Sequence, residues 1–305
     1  MKVAIIGATQ PSYERYCPNW LGMQAGLKKL NIPFVFLNCR QNLFLFDELK
    51  KSNPDIIIYG LRDIIFDKEL RTKIRKEFPK AKIIFWYGDL RKEYGWPERL
   101  NLNGLIDVMF VSNDAQKNFY KYQLNIDKVF FLPLAAEPIE KPLLNSRFTF
   151  DFVFIGAKHY INDFQERAKI IQFLEENRLK RIDSLKTELR EKIFKAMPEI
   201  YSSSKICLDI SHYTDIPRYT SIRFWEIPAF WGFALTKRFP YCEEFYPENT
   251  HRIYWDTKEE ALELKNFYLK HDDKRREIIK RAWYHTKENH TYKQRFIKMF
   301  KILNL

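Results

Sequence analysis

The chain has 305 residues, 46% of them hydrophobic and 30% charged, which excludes a disordered polymer and is too long for one small core. With only 9 glycines it is neither collagen-like nor glycine-rich, and its 16% aromatic content can fill large cores. Lys and Arg exceed Asp and Glu by 13, and residues 265–305 hold 8 of that excess, which implies an anionic partner or a well-solvated helical face.

The opening run Val3-Ala4-Ile5-Ile6 is too short for a signal peptide and reads as a first strand. No stretch approaches the length of a membrane span. Further strands are expected at Phe34–Leu37, Asp55–Tyr59, Lys82–Tyr87, Asp107–Val111 and Val129–Leu132. Amphipathic helices are expected between them at Asn19–Leu30, Leu43–Ser52, Asp67–Phe78 and Ala115–Tyr122. Continuous apolar strands such as Ile56-Ile57-Ile58 suit a sheet covered on both faces. Strand and helix in strict alternation predict a parallel, doubly wound sheet.

Prolines 133, 138 and 142 break this pattern, so Pro133–Arg147 reads as a linker. A second α/β unit then opens at Phe150–Gly156, with strands at Lys205–Ile210, Ala234–Thr236 and Arg252–Trp255. Its helices are expected at Arg167–Asn177, Leu185–Met197, Ser221–Trp231, Lys258–Lys270, Asp273–Glu288 and Tyr292–Ile302. No apolar strand is evident between Asn177 and Glu199. The cysteines Cys17, Cys39, Cys207 and Cys242 are far apart with no C-x-x-C pair, so reduced thiols in a cytoplasm are expected. The fold class is α/β, two Rossmann-like domains facing across a cleft. Domain boundaries fall at 1–140, 141–289 and a terminal helix, 290–305, packing back on the first domain.

The segment from Ser221 to Thr236 carries the most chemistry. Ser221 can cap a helix whose first turns hold Arg223 and Glu226, and Gly232 can end it. A helix amino end with a nearby Arg suits a diphosphate, and a carboxylate can accept both hydroxyls of a ribose. The competing reading is an Arg223–Glu226 surface pair at i, i+3. Gly156 permits close backbone approach at a strand end or simply makes a turn.

The segments Phe152–Gly156, Tyr201–Ile210, Arg223–Ala229, Cys242–Phe245 and His290–Phe296 resemble the GT-B glycosyltransferases. The similarity is closest to the spore-maturation CgeB-like branch of the group 1 family. Asp107–Val111 and Phe131–Ala135 resemble the end of that family's first domain. The resemblance implies a nucleotide-sugar donor of UDP or GDP type in the second domain and an acceptor in the first. It places Glu226 on the donor ribose, Arg223 on the diphosphate, Gly156 and Lys158 near the phosphates, and Glu244 beside the pocket. Ala157 stands where the family has Ser, and Asp209 where it has Asn.

No Asp-x-Asp metal pair stands at a strand end, and His271-Asp272-Asp273 reads as a helix cap, so metal-independent transfer is expected, with no cofactor. If the reaction inverts the anomeric carbon, Asp89 is the candidate base, with Glu14 and Asp114 behind it. His159 and His212 are candidate phosphate contacts, and Tyr13, Tyr16 and Trp20 either line an acceptor site or staple the first helix. Trp225, Phe230, Trp231 and Phe233 read as core. The acceptor is open: a glycan, a lipid-linked sugar, a protein or a modified nucleic acid. The competing function is a nucleic-acid-directed protein using the basic C-terminal surface and the aromatics at Trp283-Tyr284 and Tyr292. The expected location is cytoplasmic, with contact to an anionic inner membrane face as a further reading.

Overall fold

The computed structural model describes residues 1–7, 18–38, 45–59, 68–88, 104–114, 117–123, 126–158, 165–183 and 187–305. The chain divides into two compact units. The first holds Met1–Leu134 and Tyr292–Leu305, and the second holds Ala135–Thr291.

In the first unit, β1 (Val3–Gly7), α1 (Pro18–Lys29), β2 (Phe34–Asn38), α2 (Leu45–Ser52), β3 (Ile56–Tyr59), α3 (Lys68–Glu77) and β4 (Lys82–Tyr87) alternate as expected. β5 (Val108–Val111), α4 (Lys117–Gln123) and β6 (Val129–Phe131) complete the series. The six strands are parallel in the order β2-β1-β3-β4-β5-β6. All five residues of β1 and all four of β3 are buried, which is why these strands are continuous apolar runs. Leu45, Leu49, Ile74, Phe78 and Tyr120 from α2, the α3 region and α4 pack on one face of the sheet.

The terminal helix α10 (Tyr292–Leu303) packs on α1 in this unit. A Cβ on Gly26 would lie 2.8 Å from the Tyr292 carbonyl carbon, and one on Gly22 would collide with the Tyr292 ring, so only glycine allows this approach. The Tyr292 hydroxyl donates to Asn19 at 2.6 Å. The Trp86 ring contacts Tyr292 at 6.0 Å and Phe296 at 6.2 Å. Arg295 Nε donates to the carbonyls of Pro133 and Leu134 at 3.1 Å each.

The second unit runs β7 (Val153–Ile155), α5 (Gln165–Glu176), β8 (Lys180–Ile182), α6 (Thr187–Ser203), β9 (Cys207–Asp209) and α7 (Ile222–Ala229). β10 (Ala234–Lys237), β11 (Ile253–Trp255), α8 (Lys258–Lys270) and α9 (Asp272–Asn289) follow. The sheet order is β11-β10-β9-β7-β8, all parallel. Both sheets are thus doubly wound and both domains Rossmann-like.

β8 corrects the expectation that no strand lies between Asn177 and Glu199. It pairs in parallel with β7, Val153 opposite Lys180, at the edge of the sheet. Lys180 is exposed and Arg181 and Ile182 only half-buried, so an edge position needs no apolar run. α6 also runs on through Pro198 to Ser203, past the expected end at Met197. The proline-rich segment is not loose: the Ile139 carbonyl accepts the indole N–H of Trp231 at 3.0 Å and of Trp283 at 2.8 Å. Those two rings stack at 4.6 Å.

Candidate functional site

The order of the second sheet reverses between β7 and β9. In such sheets the crevice at the carboxyl ends of the two flanking strands is where ligands bind. Arg223, in the first turn of α7, sits at this point. Its Nη1 donates to the carbonyl of Ile155, at the end of β7, at 3.0 Å. Its Nη2 donates to the carbonyl of Ile210, just after β9, at 3.0 Å. One guanidinium therefore bridges the two strand ends, and each Nη keeps a second N–H. A Cβ on Gly156 would lie 3.2 Å from Arg223 Nη1 and 2.7 Å from the Phe154 ring, so glycine makes room for this side chain.

Arg223 and Glu226 form no surface pair, which removes the i, i+3 reading. Arg223 Nε instead lies 3.5 Å from Asp209 Oδ1, and its side chain is only 11% exposed. Glu226 is 1% exposed and neither carboxylate oxygen has a hydrogen-bond partner. Burial pushes its pKa up to about 7, against the opposing pull of the Arg223 guanidinium. Ser221 occupies the N-cap of α7, but its hydroxyl makes no capping bond. Its backbone N–H donates to the Ser211 hydroxyl at 3.1 Å. Gly232 donates to the Ile227 carbonyl at 2.8 Å beyond the helix end, while Trp231 carries the left-handed φ of 58°.

Behind Arg223 lies a buried ionic network absent from the sequence reading. Arg252, fully buried, donates to Asp209 Oδ2 at 3.0 Å, to the Thr236 hydroxyl at 2.9 Å and to the Phe224 carbonyl at 2.6 Å. Its guanidinium lies over the rings of Phe224 at 3.9 Å and Tyr246 at 4.5 Å. Asp209 thus serves one guanidinium with each oxygen, which an amide cannot do. This accounts for Asp at a position where Asn was the family expectation.

A further cation, Arg167 near the start of α5, also went unremarked in the sequence. It is 5% exposed and lies over the Phe154 ring at 5.5 Å, where Arg223 lies at 4.6 Å. Burial, and then the Arg223 charge, push its pKa down to about 9. Its Nη1 contacts His212 Nδ1 at 2.5 Å, which places His212 in the same cluster. Three guanidinium groups here face Asp209 and the buried Glu226. The cluster is short of negative charge, and a bound anion would supply it.

The other named residues fall elsewhere. Lys158 Nζ pairs with Glu175 at 3.2 Å, and Arg181 shares that carboxylate at 2.7 Å. Glu244 is exposed and receives Arg218 through both oxygens at 2.8 Å each. Asp114 pairs with Lys117 at 3.3 Å at the start of α4. Trp20 is buried against Gly7 and Phe36, in keeping with the stapling role. Asp89, Glu14, His159, Tyr13 and Tyr16 lie outside the described residues. Two open depressions of about 420 and 540 Å³ mark the second unit, but neither is lined by Arg223 or Glu226. The charged groups of the switch point are buried: Glu226 is 1%, Arg167 5% and the Arg223 side chain 11% exposed.

The basic tail also resolves differently from its reading as one surface. Lys265, Arg275 and Arg295 are buried, and Arg276, Arg281 and Lys287 are held in ion pairs. Trp283 and Tyr292 are core residues, not a stacking platform. Divided by unit, 25 Lys and Arg against 14 Asp and Glu fall in the first, and 27 against 25 in the second. Eleven of the thirteen excess charges therefore belong to the first unit. Among the described residues no helix is long and apolar enough to cross a membrane.

Residues 144–301, just over half of the chain, match the family described as glycosyl transferase-like. The chain belongs to that family. It is a glycosyltransferase of the GT-B fold, and solved structures of that class share its architecture. A glycosyltransferase from Rickettsia africae ESF-5 is 16% identical, with a TM-score of 0.54 over 99% of this chain and 97% of that one. An α-glucosyltransferase solved with UDP and a 13-mer DNA containing a central A:G mismatch is 13% identical, with a TM-score of 0.67 over all of both chains. HepE (Alr3699) of Anabaena, solved with UDP-glucose, is 12% identical, with a TM-score of 0.60 over 100% of this chain and 99% of that one. No curated protein matches the chain.

Proposed function

We propose that the second unit binds a nucleoside-diphosphate sugar at the β7/β9 switch point and that the glycosyl group passes to an acceptor held by the first unit. The observation that carries this reading is Glu226, a buried carboxylate with no partner, one turn along α7 from a guanidinium anchored across two strand ends. In this reading Arg223 and Arg167 face the diphosphate, Gly156 and His212 line its path, and Glu226 accepts the ribose hydroxyls. Lys158 and Glu244 are held in ion pairs with Glu175 and Arg218. HepE was solved with UDP-glucose and the α-glucosyltransferase with UDP, which favours a UDP-type donor for the same fold. Membership of the CgeB-like branch is part of the same reading.

The chemistry follows from the cations. As the anomeric C–O bond breaks, the electron pair and negative charge pass to the departing diphosphate. Arg223 is fixed by two carbonyls, so its free N–H groups meet that charge without reorganising, and such preorganised donors supply several kcal/mol. Arg167 adds a second cation in a water-poor setting, where its effect is larger than in bulk. Guanidinium groups can do this work without a metal ion, and metal independence belongs to the proposal. Asp89 is the base in an inverting mechanism, tested by Asp89→Asn. A thermal-shift series with UDP-, GDP-, ADP-, CDP- and dTDP-sugars, with and without chelator, tests the whole. One donor should raise Tm in the wild type and fail to do so in Arg223→Ala. No shift with any donor would remove the reading.

A second reading concerns the acceptor. The first unit carries an excess of 11 positive charges, which favours a polyanion. Because the α-glucosyltransferase was solved on DNA, nucleic acid is the polyanion to test first. Binding of a short duplex should weaken steeply with salt, and no binding at low salt would exclude it.

A further inference from the structure

α1 and α10 pack on each other in the first unit, and their inner sides are apolar: Trp20, Met23 and Leu27 on one, Phe296, Met299 and Phe300 on the other, all buried. Their outer sides share a different composition. Neither helix contains Asp or Glu, and together they carry Lys28, Lys29, Lys293, Lys298 and Lys301 besides the buried Arg295. A Cβ on Gly26 would lie 2.9 Å from the Lys293 backbone nitrogen, so Lys293 stands within a turn of Lys28 and Lys29. Aliphatic side chains are exposed among these charges: Leu21 at 44%, Ile297 at 42% and Leu305 at 58%. Leu21 and Lys28 are seven residues apart, and Ile297 and Lys301 four, so each pair shares a helix face. Leu305 is held at the end of α10, where its N–H donates to the Phe300 carbonyl at 3.0 Å past the left-handed Asn304, φ 55°.

A single exposed leucine is ordinary. Three aliphatic groups among lysines, with no carboxylate on either helix, are the composition of a surface that lies in a membrane interface. The aliphatic groups enter the headgroup boundary while the ammonium groups meet lipid phosphates. Nucleic acid fits this face less well. Its exposed cations are all Lys, which lacks the guanidinium fork for phosphate, and neither helix exposes an aromatic ring on which a base could stack. We propose that the outer face of α1 and α10 docks on an anionic lipid bilayer. The donor site takes no part in this contact.

The test is co-sedimentation of the full chain with vesicles of phosphatidylcholine alone and of an equal mixture with phosphatidylglycerol, beside its binding to a short DNA duplex at the same ionic strength. The chain should bind the mixed vesicles and not phosphatidylcholine, and more weakly as salt is added. Lys28→Gln with Lys301→Gln should weaken vesicle binding about 25-fold, each lysine near a charged bilayer being worth about fivefold. Leu21→Ser with Ile297→Ser should weaken it several-fold and leave duplex binding unchanged. All four side chains are exposed, so the variants should fold, which far-UV circular dichroism and urea unfolding check. No binding to the mixed vesicles at low salt would overturn the docking surface. So would vesicle binding that both double variants leave unchanged. Duplex binding that is lost with the lysines, with no vesicle binding, would assign the face to nucleic acid instead.

Discussion

Replacing Glu226 by Gln should make the protein more stable and less able to bind its donor, with a pH dependence fixed in advance. Glu226 is buried without a partner, and its pKa rises from 4.5 to about 7 on folding. The folded state therefore holds this proton over a range where the unfolded chain has released it. The stabilising contribution is complete below about 4.5 and is lost as the pH rises through about 7. A rise of that size corresponds to about 3 kcal/mol across the window. Gln has the same shape and never ionises, so it escapes the loss. The unfolding free energy of Glu226→Gln minus that of wild type should thus grow by about 2–3 kcal/mol between pH 5 and pH 8.

Urea unfolding followed by tryptophan fluorescence reads this difference, and all other titrating groups cancel in the comparison. Stability differences that stay flat from pH 5 to pH 8 would mean that Glu226 is solvated or paired in the folded state and would refute this prediction. Nucleoside diphosphate binding by the same variant should be weaker at every pH. A residue that lowers stability at neutral pH and raises binding is the expected signature of a functional site.

Three further outcomes are expected. Arg223→Ala should weaken nucleoside diphosphate binding by about 10- to 100-fold, the worth of charge-assisted bonds of roughly 1.5–3 kcal/mol, with Arg223→Lys recovering little because a point charge cannot bridge both strand ends. Unchanged titration isotherms would contradict it. Arg252→Met should lower stability by about 3–5 kcal/mol by leaving Asp209 Oδ2 buried without its guanidinium, and adding Asp209→Asn should restore part of it. Strict additivity of the two losses in chemical unfolding would show that they do not interact. Gly26→Ala should destabilise the first unit by about 1–3 kcal/mol, since its Cβ would lie 2.8 Å from the Tyr292 carbonyl carbon. A Tm equal to that of wild type would show that α10 does not pack where described.

The strands were legible wherever burial on both faces forces a continuous apolar run, as in Ile56-Ile57-Ile58 of β3 and Ile83 to Trp86 of β4. β8 was not, because Lys180-Arg181-Ile182 sits at a sheet edge where one side is wet. Helix ends blurred for a related reason: Pro198 and Pro228 sit inside α6 and α7 and gave no usable stop. At the site, spacing put Arg223 and Glu226 on neighbouring turns but could not separate a surface pair from two divergent buried groups. That choice is made by the carbonyls of Ile155 and Ile210, 68 and 13 residues from Arg223 in sequence.

Charge balance explains the rest. Arg252 is fully buried on the sheet and needs a counter-charge, which Asp209 supplies two strands away. An Asn there would leave three guanidinium groups with only the buried Glu226 against them. With Asp209, one cation is neutralised and held, while Arg223 and Arg167 remain poorly compensated around Phe154. Burying that much positive charge is unfavourable unless something negative joins it. The same residues that make the second unit electrostatically costly on its own are those a diphosphate would neutralise, so tight donor binding and added thermal stability should arise from one cause.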